Sequence, residues 1–284
     1  MTRSSEHFPH PVPSASEGLR RDLPTLQRQL LQRRAALRWI GASACSAALP
    51  LSLLACGGTE EDDVDAACAA VPAETAGPYP ADGTSASGQR LNALTLSGIV
   101  RSDIRRSVGS ASGTAAGVPL RVVLTLVNSS TCVPLAGLAV YLWHCTRDGS
   151  YSMYSGGHTN QNYLRGVQVS DASGIVQFST IFPGCYSGRW PHIHFEVYGS
   201  LDAALGDGAV GDHVLVSQLA LPSASCDEVY ETATGYTASA DIFAATSLAR
   251  DNVFGEDLAR LQMADVQGSV ATGYTASLQV GLEV

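Results

Sequence analysis

The chain has 284 residues, of which 45% are hydrophobic and 15% are charged, enough to bury the core of one domain. It contains no lysine, and the residues after Cys56 contain ten arginines against 23 acidic residues, a net charge of −13. A domain this acidic repels nucleic-acid phosphates and anionic lipid surfaces, so the composition excludes nucleic-acid binding.

Residues 1–56 are predicted to be a targeting segment rather than part of the fold. Arg33 and Arg34 begin a twin-arginine-like run, and the apolar stretch that follows is about as long as a signal peptide. It ends in Leu-Leu-Ala-Cys at Cys56, which resembles the lipobox of bacterial lipoproteins. The alternatives are a plain secretory signal and a membrane-anchor helix. The sequence therefore predicts an exported protein that contacts the membrane only through a lipid on Cys56.

An acidic tether over residues 57–66 is predicted to lead into one folded domain, residues 67–284. Short apolar or alternating runs, separated by Gly, Ser, Asp and Pro, are typical of an all-β sandwich. Two short helices are expected, at residues 225–232 and 240–249. The heptapeptide ATGYTAS occurs twice, from Ala233 and from Ala271, with different flanks, which indicates coincidence or local duplication rather than a repeat architecture. The expected strands are residues 95–100, 120–127, 139–144, 175–180, 192–198, 214–221 and 278–282.

Five cysteines follow the leader, and export would place them in an oxidising compartment. Two disulfides and one free thiol are the expected arrangement, with a pairing that the sequence leaves open. No CxxC spacing indicates a zinc site. The five are Cys68, Cys132, Cys145, Cys185 and Cys226.

The run RWPHIHFEV, residues 189–197, is the most informative segment of the chain. Successive side chains of a strand point to opposite faces, so His192 and His194 share one face about 6 to 7 Å apart. Ile193, Phe195 and Val197 line the other face. Two imidazoles on one face can converge on a metal ion, although zinc sites, copper sites and plain surface histidines have the same pattern.

Two tyrosines lie where they could join this histidine pair. Tyr186 precedes His192 by six residues, on the turn that feeds the expected strand, and Tyr151 follows the end of another strand. Tyr154 and Tyr163 are near enough to compete with Tyr151 for the same role.

Several motifs around these residues resemble those of one enzyme family. Between residues 142 and 195 the chain contains W…DGSY, LRGVQVSDASG, TIFPGCY and RWPHIHF, and ETAGPY and SQL occur at residues 74–79 and 217–219. In this order they resemble the catalytic core of the intradiol ring-cleavage dioxygenases, the protocatechuate and catechol dioxygenase family. The resemblance extends over most of the chain after the leader, and it implies the β-sandwich fold of that family with a few short helices.

The resemblance also implies a metal centre and a reaction. It makes Tyr151, Tyr186, His192 and His194 the ligands of a mononuclear non-haem Fe(III), with Tyr186 as the axial ligand that the substrate displaces. Phenolates are hard anionic donors that favour the +3 state. The implied reaction is intradiol cleavage of a catechol-type aromatic by O₂ to a cis,cis-muconate-type product. The candidate catalytic residues are Tyr186, Arg189, which offsets negative charge on the substrate, and Gln218.

Some positions have alternative interpretations. Cys185 departs from the family pattern, and it is expected either on the wall of the substrate pocket or in a disulfide with a partner such as Cys226. His144 is expected to be structural, and His158 and His213 are expected to be exposed to solvent. The alternative function is that of a catalytically inactive, lipid-anchored β-sandwich binding protein. Such a protein would be expected to have lost at least one ligand of the set.

Overall fold

A computed structural model describes residues 68–206 and 211–284 of the chain. The predicted targeting segment, the tether and the lipobox Cys56 lie outside these residues. Within 68–206 and 211–284, no helix is both long enough and apolar enough to span a membrane.

In the part of the chain that the structure describes, eight strands form two four-stranded sheets that pack as a β-sandwich. Sheet I has the strand order β4-β1-β8-β7, and sheet II has the order β3-β2-β5-β6. All neighbouring strands are antiparallel except β1 and β8, which are parallel. The all-β prediction is therefore confirmed. The elements are β1 (Pro119–Asn128), β2 (Ala139–Trp143), β3 (Arg165–Val169), β4 (Ile175–Ile181), β5 (His192–Tyr198), α1 (Leu201–Leu205), β6 (Leu215–Ala220), α2 (Ser223–Thr232), α3 (Thr237–Ala244), a 3₁₀ helix (Leu248–Arg250), β7 (Asp265–Ser269) and β8 (Gly273–Leu282).

The main core lies between the two sheets. Strand β1 alternates buried and more exposed residues, and its leucines and valine at positions 120, 122, 124 and 126 face inward. Ile193, Phe195 and Val197 of β5 meet them from sheet II. Full burial of such a side chain stabilises the fold by roughly 1.5 to 3 kcal/mol. This packing fixes β5 in its register, and so fixes which of its residues point away from the core.

The outer face of sheet II is also covered. A second apolar cluster there contains Tyr141 and Trp143 of β2, and segments from residues 76–99 and 145–154 pack over it. Every residue of β5 is consequently buried, on both faces of the strand. Polar side chains on this outer face are therefore enclosed by loops instead of being exposed to water.

The strand predictions are mostly confirmed, with two kinds of error. Residues 95–100 form consecutive turns instead of a strand, because Gly98 adopts a φ of +87° and Ile99 N–H bonds back to Leu96. Strands β3 and β7 were not predicted. β3 contains Arg, Gly and Gln, and β7 is a polar edge strand paired only with β8, so neither has the alternating apolar pattern.

The two larger helices begin earlier than predicted. Helix α2 starts at Ser223, directly after Pro222, where proline is tolerated because the first N–H groups of a helix have no intrahelical partner. Helix α3 ends at Ala244, so the predicted helix over residues 240–249 is wrong in its second half. The 3₁₀ helix follows after a short break.

The expectation of two disulfides is wrong for the described residues, which contain one, between Cys68 and Cys132. Cys145, Cys185 and Cys226 are buried free thiols. The interpretation of Cys185 as a disulfide partner of Cys226 is wrong, since both are free thiols, and the Cys185 thiol donates to the carbonyl of Arg189. Its alternative location on the wall of the substrate pocket stays a prediction. Burial in apolar surroundings, not oxidation, accounts for these three cysteines.

Candidate metal centre

The candidate site lies on the outer face of sheet II, where β5 begins. His192 and His194 both point to this face, as the strand period predicts, and they are almost completely buried. In the ladder His194 is opposite Trp143 of β2, and His192 is opposite Ala220 of β6. The same strand thus contributes core residues to one side and imidazoles to the other.

The four predicted ligands converge. Tyr151 Oη lies 3.4 Å from Tyr186 Oη, and Tyr186 Oη lies 3.0 Å from His192 Nε2. His192 Nε2 is in turn 3.0 Å from His194 Nε2. Two phenol oxygens and two imidazole nitrogens, supplied by three separate stretches of chain, therefore form one continuous group of donor atoms.

Tyr154 and Tyr163, the competing tyrosines, are engaged elsewhere. The hydroxyl of Tyr154 accepts a hydrogen bond from Ala81 N–H at 2.9 Å. The hydroxyl of Tyr163 lies 2.5 Å from His158 Nδ1. Neither belongs to the group of converging donors, so the geometry favours Tyr151.

A close approach between two turns brings the tyrosines together. Gly149 has a φ of +82°, and a Cβ at this position would lie 2.9 Å from the carbonyl oxygen of Cys185 and 3.1 Å from Tyr186 Cβ. Glycine is therefore required both for the backbone conformation and for the space. Two residues further on, Tyr151 N–H donates to Ser155 Oγ at 2.8 Å, which fixes the start of the next turn.

Ring stacking orients His194, and a hydrogen bond orients His192. The ring of Trp143 stacks on that of His194 at 4.8 Å with an interplanar angle of 3°. His192 Nδ1 contacts the carbonyl oxygen of Trp190, which assigns the proton to Nδ1 and leaves a lone pair on Nε2. Gly77, with a φ of +71°, brings backbone against the other side, since a Cβ there would lie 3.4 Å from His194 Cε1.

Burial sets the protonation states of these four side chains. It lowers the pKa of His192 and of His194, so both imidazoles are neutral near pH 7 and their lone pairs are available. It also raises the pKa of Tyr151 and of Tyr186, and the nearby positive charge of Arg189 partly opposes this increase. A cation between the oxygens would reverse the effect on the phenols, because a nearby positive charge favours phenolate.

The donor set fits a metal ion. Among residues 68–206 and 211–284, no side chain or backbone group outside the four hydrogen-bonds to these converging O and Nε2 atoms. In the same ranges, no group of three or more His, Cys, Asp or Glu could hold a metal, and this site contains only two such residues beside its two tyrosines. Buried polar atoms generally have partners, so four that have only one another are suited to a shared ion. Hard phenolate oxygens suit a ferric ion.

Arg189 and Gln218, the other two candidate residues, are bonded to each other, and the positive charge of Arg189 acts on all four predicted ligands. Arg189 is 4% exposed, and its Nη2 donates to Gln218 Oε1 at 2.6 Å. Gln218 Nε2 in turn donates to the carbonyl of Thr75 at 2.8 Å. A buried cation is thus held beside the donor atoms by an amide, and the amide is held by the segment that contains Gly77.

Two residues of this region were missed by sequence reasoning. Asp251 Oδ2 accepts from Arg189 Nε at 2.9 Å, and the ring of Phe254 lies 5.8 Å from Arg189 Cζ and 6.3 Å from the ring of His192. Both follow the helices, and Asp251 is 62 residues away in sequence from the arginine that it binds. They belong to none of the motifs, and no spacing in the sequence points to them.

The other histidines lie outside the group. His144 is buried, with Nδ1 2.7 Å from the carbonyl of Cys145 and Nε2 2.6 Å from Thr180 Oγ1, so it has the structural role expected. His158 is half-buried against Tyr163, contrary to the expectation that it is exposed. His213 is exposed as expected.

Comparisons with known proteins find similarity to dioxygenases over part of the chain. A family model described as Dioxygenase matches residues 101–205. A chlorocatechol 1,2-dioxygenase of Rhodococcus opacus is 35% identical over 60 residues, which is 21% of this chain and 23% of that relative, so the match spans less than a quarter of the relative's length.

Solved structures share the fold. An intradiol ring-cleavage dioxygenase from Tetranychus urticae superposes with a TM-score of 0.57 at 22% identity, over 76% of this chain and 95% of that chain. The dioxygenase Tetur07g02040 gives a TM-score of 0.54 at 23% identity, over 76% and 94%. At these identities the likeness is one of fold.

Proposed function

We propose that this protein opens the ring of a catechol-type aromatic. Its residues 101–205 match a family model described as Dioxygenase, and its sandwich shares the fold of an intradiol ring-cleavage dioxygenase. In the proposed reaction O₂ is inserted between the two hydroxylated carbons, and both of its atoms appear in a cis,cis-muconate-type diacid. Tyr151, Tyr186, His192 and His194 would hold one ferric ion.

The observation that supports this proposal is the convergence of two phenol oxygens and two imidazole nitrogens within 3.0 to 3.4 Å of their neighbours in a buried group. When bound, the ferric ion supplies a Lewis-acidic centre at which a deprotonated aromatic diol becomes reactive toward O₂. A binding protein without turnover would have no need to keep two tyrosines and two histidines together in this way.

Tyr186 is suited to move a proton. It is half-buried, whereas Tyr151 is 1% exposed, so Tyr186 is the phenol that an entering molecule can displace. Burial raises the pKa of Tyr186, so a Tyr186 phenolate displaced from the metal ion would readily take up a proton. A catechol must lose its protons to bind as a dianion, and the Tyr186 oxygen is a nearby acceptor for one of them.

Arg189 supplies a fixed positive charge to the same space. The substrate brings negative charge into a buried site, where a preorganised cation is worth more than in water. Gln218 acts through Arg189, since its amide oxygen accepts from Nη2 and holds the guanidinium in place. We therefore assign Arg189 a catalytic role and Gln218 a positioning role.

The colour of the protein tests the metal centre directly. Ferric tyrosinate gives a strong visible charge-transfer band, so the purified full chain should be red-brown, with about one iron per chain. A colourless sample that contains its full complement of metal would overturn the ferric proposal and leave a zinc or copper site, or a binding function, in its place.

Two single-atom variants test the ligand assignment. Tyr151→Phe should bleach or shift the band, because it removes one phenolate. Tyr154→Phe is the matched control, since that hydroxyl bonds to Ala81 N–H and lies outside the group, and its spectrum should match that of the unaltered protein. The reverse pattern would transfer the ligand role to Tyr154.

The substrate class is tested by oxygen uptake. Catechol, hydroxyquinol, protocatechuate and substituted catechols should be compared, with formation of a muconate-type diacid followed by absorbance. If an iron-loaded sample consumes no O₂ with any of these compounds, the alternative function as an inactive binding protein is favoured.

The proposal extends to location. Export and lipid attachment at Cys56 remain the expected context, and the Cys68–Cys132 disulfide supports it, because disulfides persist in oxidising compartments. Cys56→Ser should move the protein from the membrane fraction to the soluble fraction. An unchanged distribution would exclude the lipid anchor.

A further inference from the structure

The chain segment that follows the helices contributes to the candidate centre through one carboxylate. We propose that Asp251 is a positioning residue that fixes the direction of the Arg189 guanidinium, so that one edge of it faces the substrate. The inference rests on the proposed function, because it assigns Arg189 its task within that reaction.

The Asp251 carboxylate is saturated with hydrogen bonds. Oδ2 accepts from Arg189 Nε at 2.9 Å and from Trp190 N–H at 2.6 Å. Oδ1 accepts from Val253 N–H at 2.8 Å and from Phe254 N–H at 2.9 Å. Four donors converge on two oxygens of a side chain that is 4% exposed, which determines the orientation of the carboxylate completely.

Arg189 is held along one edge of its guanidinium. Nε and Nη2 point to the same side, where Asp251 Oδ2 and Gln218 Oε1 accept from them. Within the described residues, Nη1 donates to no protein acceptor. The planar fork of arginine therefore has its inner edge occupied and keeps donors at Nη1 for a negatively charged oxygen of the substrate.

The same carboxylate also positions an aromatic ring. Because Asp251 Oδ1 binds Phe254 N–H, the fully buried Phe254 ring is fixed against Arg189 Cζ at 5.8 Å and against the His192 ring at 6.3 Å. A cation over an aromatic face within about 6 Å is attracted to it. Residues 251–254 thus contact the predicted arginine and one predicted ligand at once.

Charge explains why a carboxylate is needed here. A buried guanidinium without a partner is strongly disfavoured and would turn toward water, away from the donor atoms. An amide cannot replace Asp251. It has one acceptor oxygen, so whichever way it is turned, two N–H donors would face its NH₂ group.

The direction of Arg189 can be measured without iron. In the metal-free full chain, the Arg189 Nε–H should give a resolved, slowly exchanging NMR resonance that is assigned by its absence from Arg189→Gln. Asp251→Asn should abolish this protection. A protected Nε–H in Asp251→Asn would overturn the inference whatever the protein catalyses.

A double-mutant cycle then tests whether Asp251 acts through Arg189. In the iron-loaded protein, Asp251→Asn should raise the Kd for 4-nitrocatechol, followed by its own absorbance, on the order of 10- to 100-fold, the size of one charge-assisted hydrogen bond. In the Arg189→Gln background, the same change should raise Kd less than about twofold. Equal factors in both backgrounds would mean that Asp251 acts independently of Arg189.

A matched variant separates positioning from loss of stability. Asn162 is also buried, and its side chain makes two hydrogen bonds to the backbone of Val108. Asn162→Ala should lower the thermal midpoint without changing the Kd for the probe, and a parallel rise in Kd would reduce Asp251 to a structural role. If the unaltered protein binds no iron and no probe, the proposed function fails, while the NMR result still decides the direction of Arg189.

Discussion

Arg165 lies outside the candidate centre, yet we expect its replacement to affect that centre strongly. It is fully buried on β3, and its guanidinium makes five hydrogen bonds between 2.7 and 3.1 Å. Three of them go to the carbonyls of Tyr79, Pro80 and Ser152. The others go to Ser152 Oγ and to the hydroxyl of Tyr141. One side chain thus ties two covering segments to sheet II.

Arg165→Lys keeps the charge and removes the fork. A lysine ammonium is a point donor, and we expect it to reach one of the three carbonyls, so that two hydrogen bonds from a charged donor to a carbonyl are lost. A hydrogen bond to a charged group contributes roughly 1.5 to 3 kcal/mol, so the loss of two should lower the unfolding free energy by about 3 to 6 kcal/mol. Activity should fall as well, because the Tyr79 ring packs 4.8 Å from that of Tyr151 and its backbone would be released.

Urea unfolding at 25 °C, followed by tryptophan fluorescence, measures this change. Arg121→Lys is the matched control, because Arg121 is exposed on β1 and its guanidinium bonds, among the described residues, only to the side chain of Gln177. The unfolding free energy of this variant should change by less than about 0.5 kcal/mol. A loss below about 1 kcal/mol for Arg165→Lys would refute the idea that this guanidinium holds the covering segments in place.

Two further predictions concern stability. The Cys68–Cys132 disulfide closes a loop of 64 residues, so replacing both cysteines by serine should lower the unfolding free energy by about 4 kcal/mol in urea. A reductant should destabilise the unaltered protein by the same amount and the variant not at all, and an equal effect on both would refute the assignment. Burial lowers the pKa of His144 from 6.5 to about 4, so between these pH values the unfolded chain binds a proton that the folded chain does not. The contribution of neutral His144 to the unfolding free energy is therefore complete above pH 6.5 and is lost as the pH falls toward 4. Between pH 7.5 and 4.5 the unaltered protein should lose about 2.5 kcal/mol more than His144→Asn, and identical pH profiles would contradict this.

The repeated heptapeptide shows how far local sequence determines this fold. The first ATGYTAS, residues 233–239, leads into helix α3, and its Tyr236 is fully buried with its hydroxyl bonded to the carbonyl of Phe182. The second, residues 271–277, enters strand β8, where Tyr274 is opposite Leu120 of β1. The last three residues of the heptapeptide, TAS, are helical at 237–239 and extended at 275–277, so long-range packing overrides local propensity.

The residues of the candidate centre that could be predicted are those that lie close together in the sequence. The period of a strand places His192 and His194 on one face, and Tyr186 is only six residues away. Asp251 and Phe254 could not be found in this way, because they reach the site through a tertiary contact. Nor does the sequence indicate that Arg165 would satisfy the carbonyls of a segment 85 residues before it.

Strand β5 connects the fold to the chemistry because both of its faces are buried. Its inner residues are apolar, whereas its outer face has two histidines followed by Glu196. Burial of such polar side chains is costly unless they have partners. Burial and the nearby Asp82 carboxyl raise the pKa of Glu196, and Tyr198 Oη donates to its Oε2 at 2.7 Å. Both effects favour the protonated form of the carboxyl, which places no negative charge beside His194. Burial therefore keeps the imidazoles on the outer face of β5 neutral, and the positive charge of Arg189 lies near the end of the strand where the tyrosines converge.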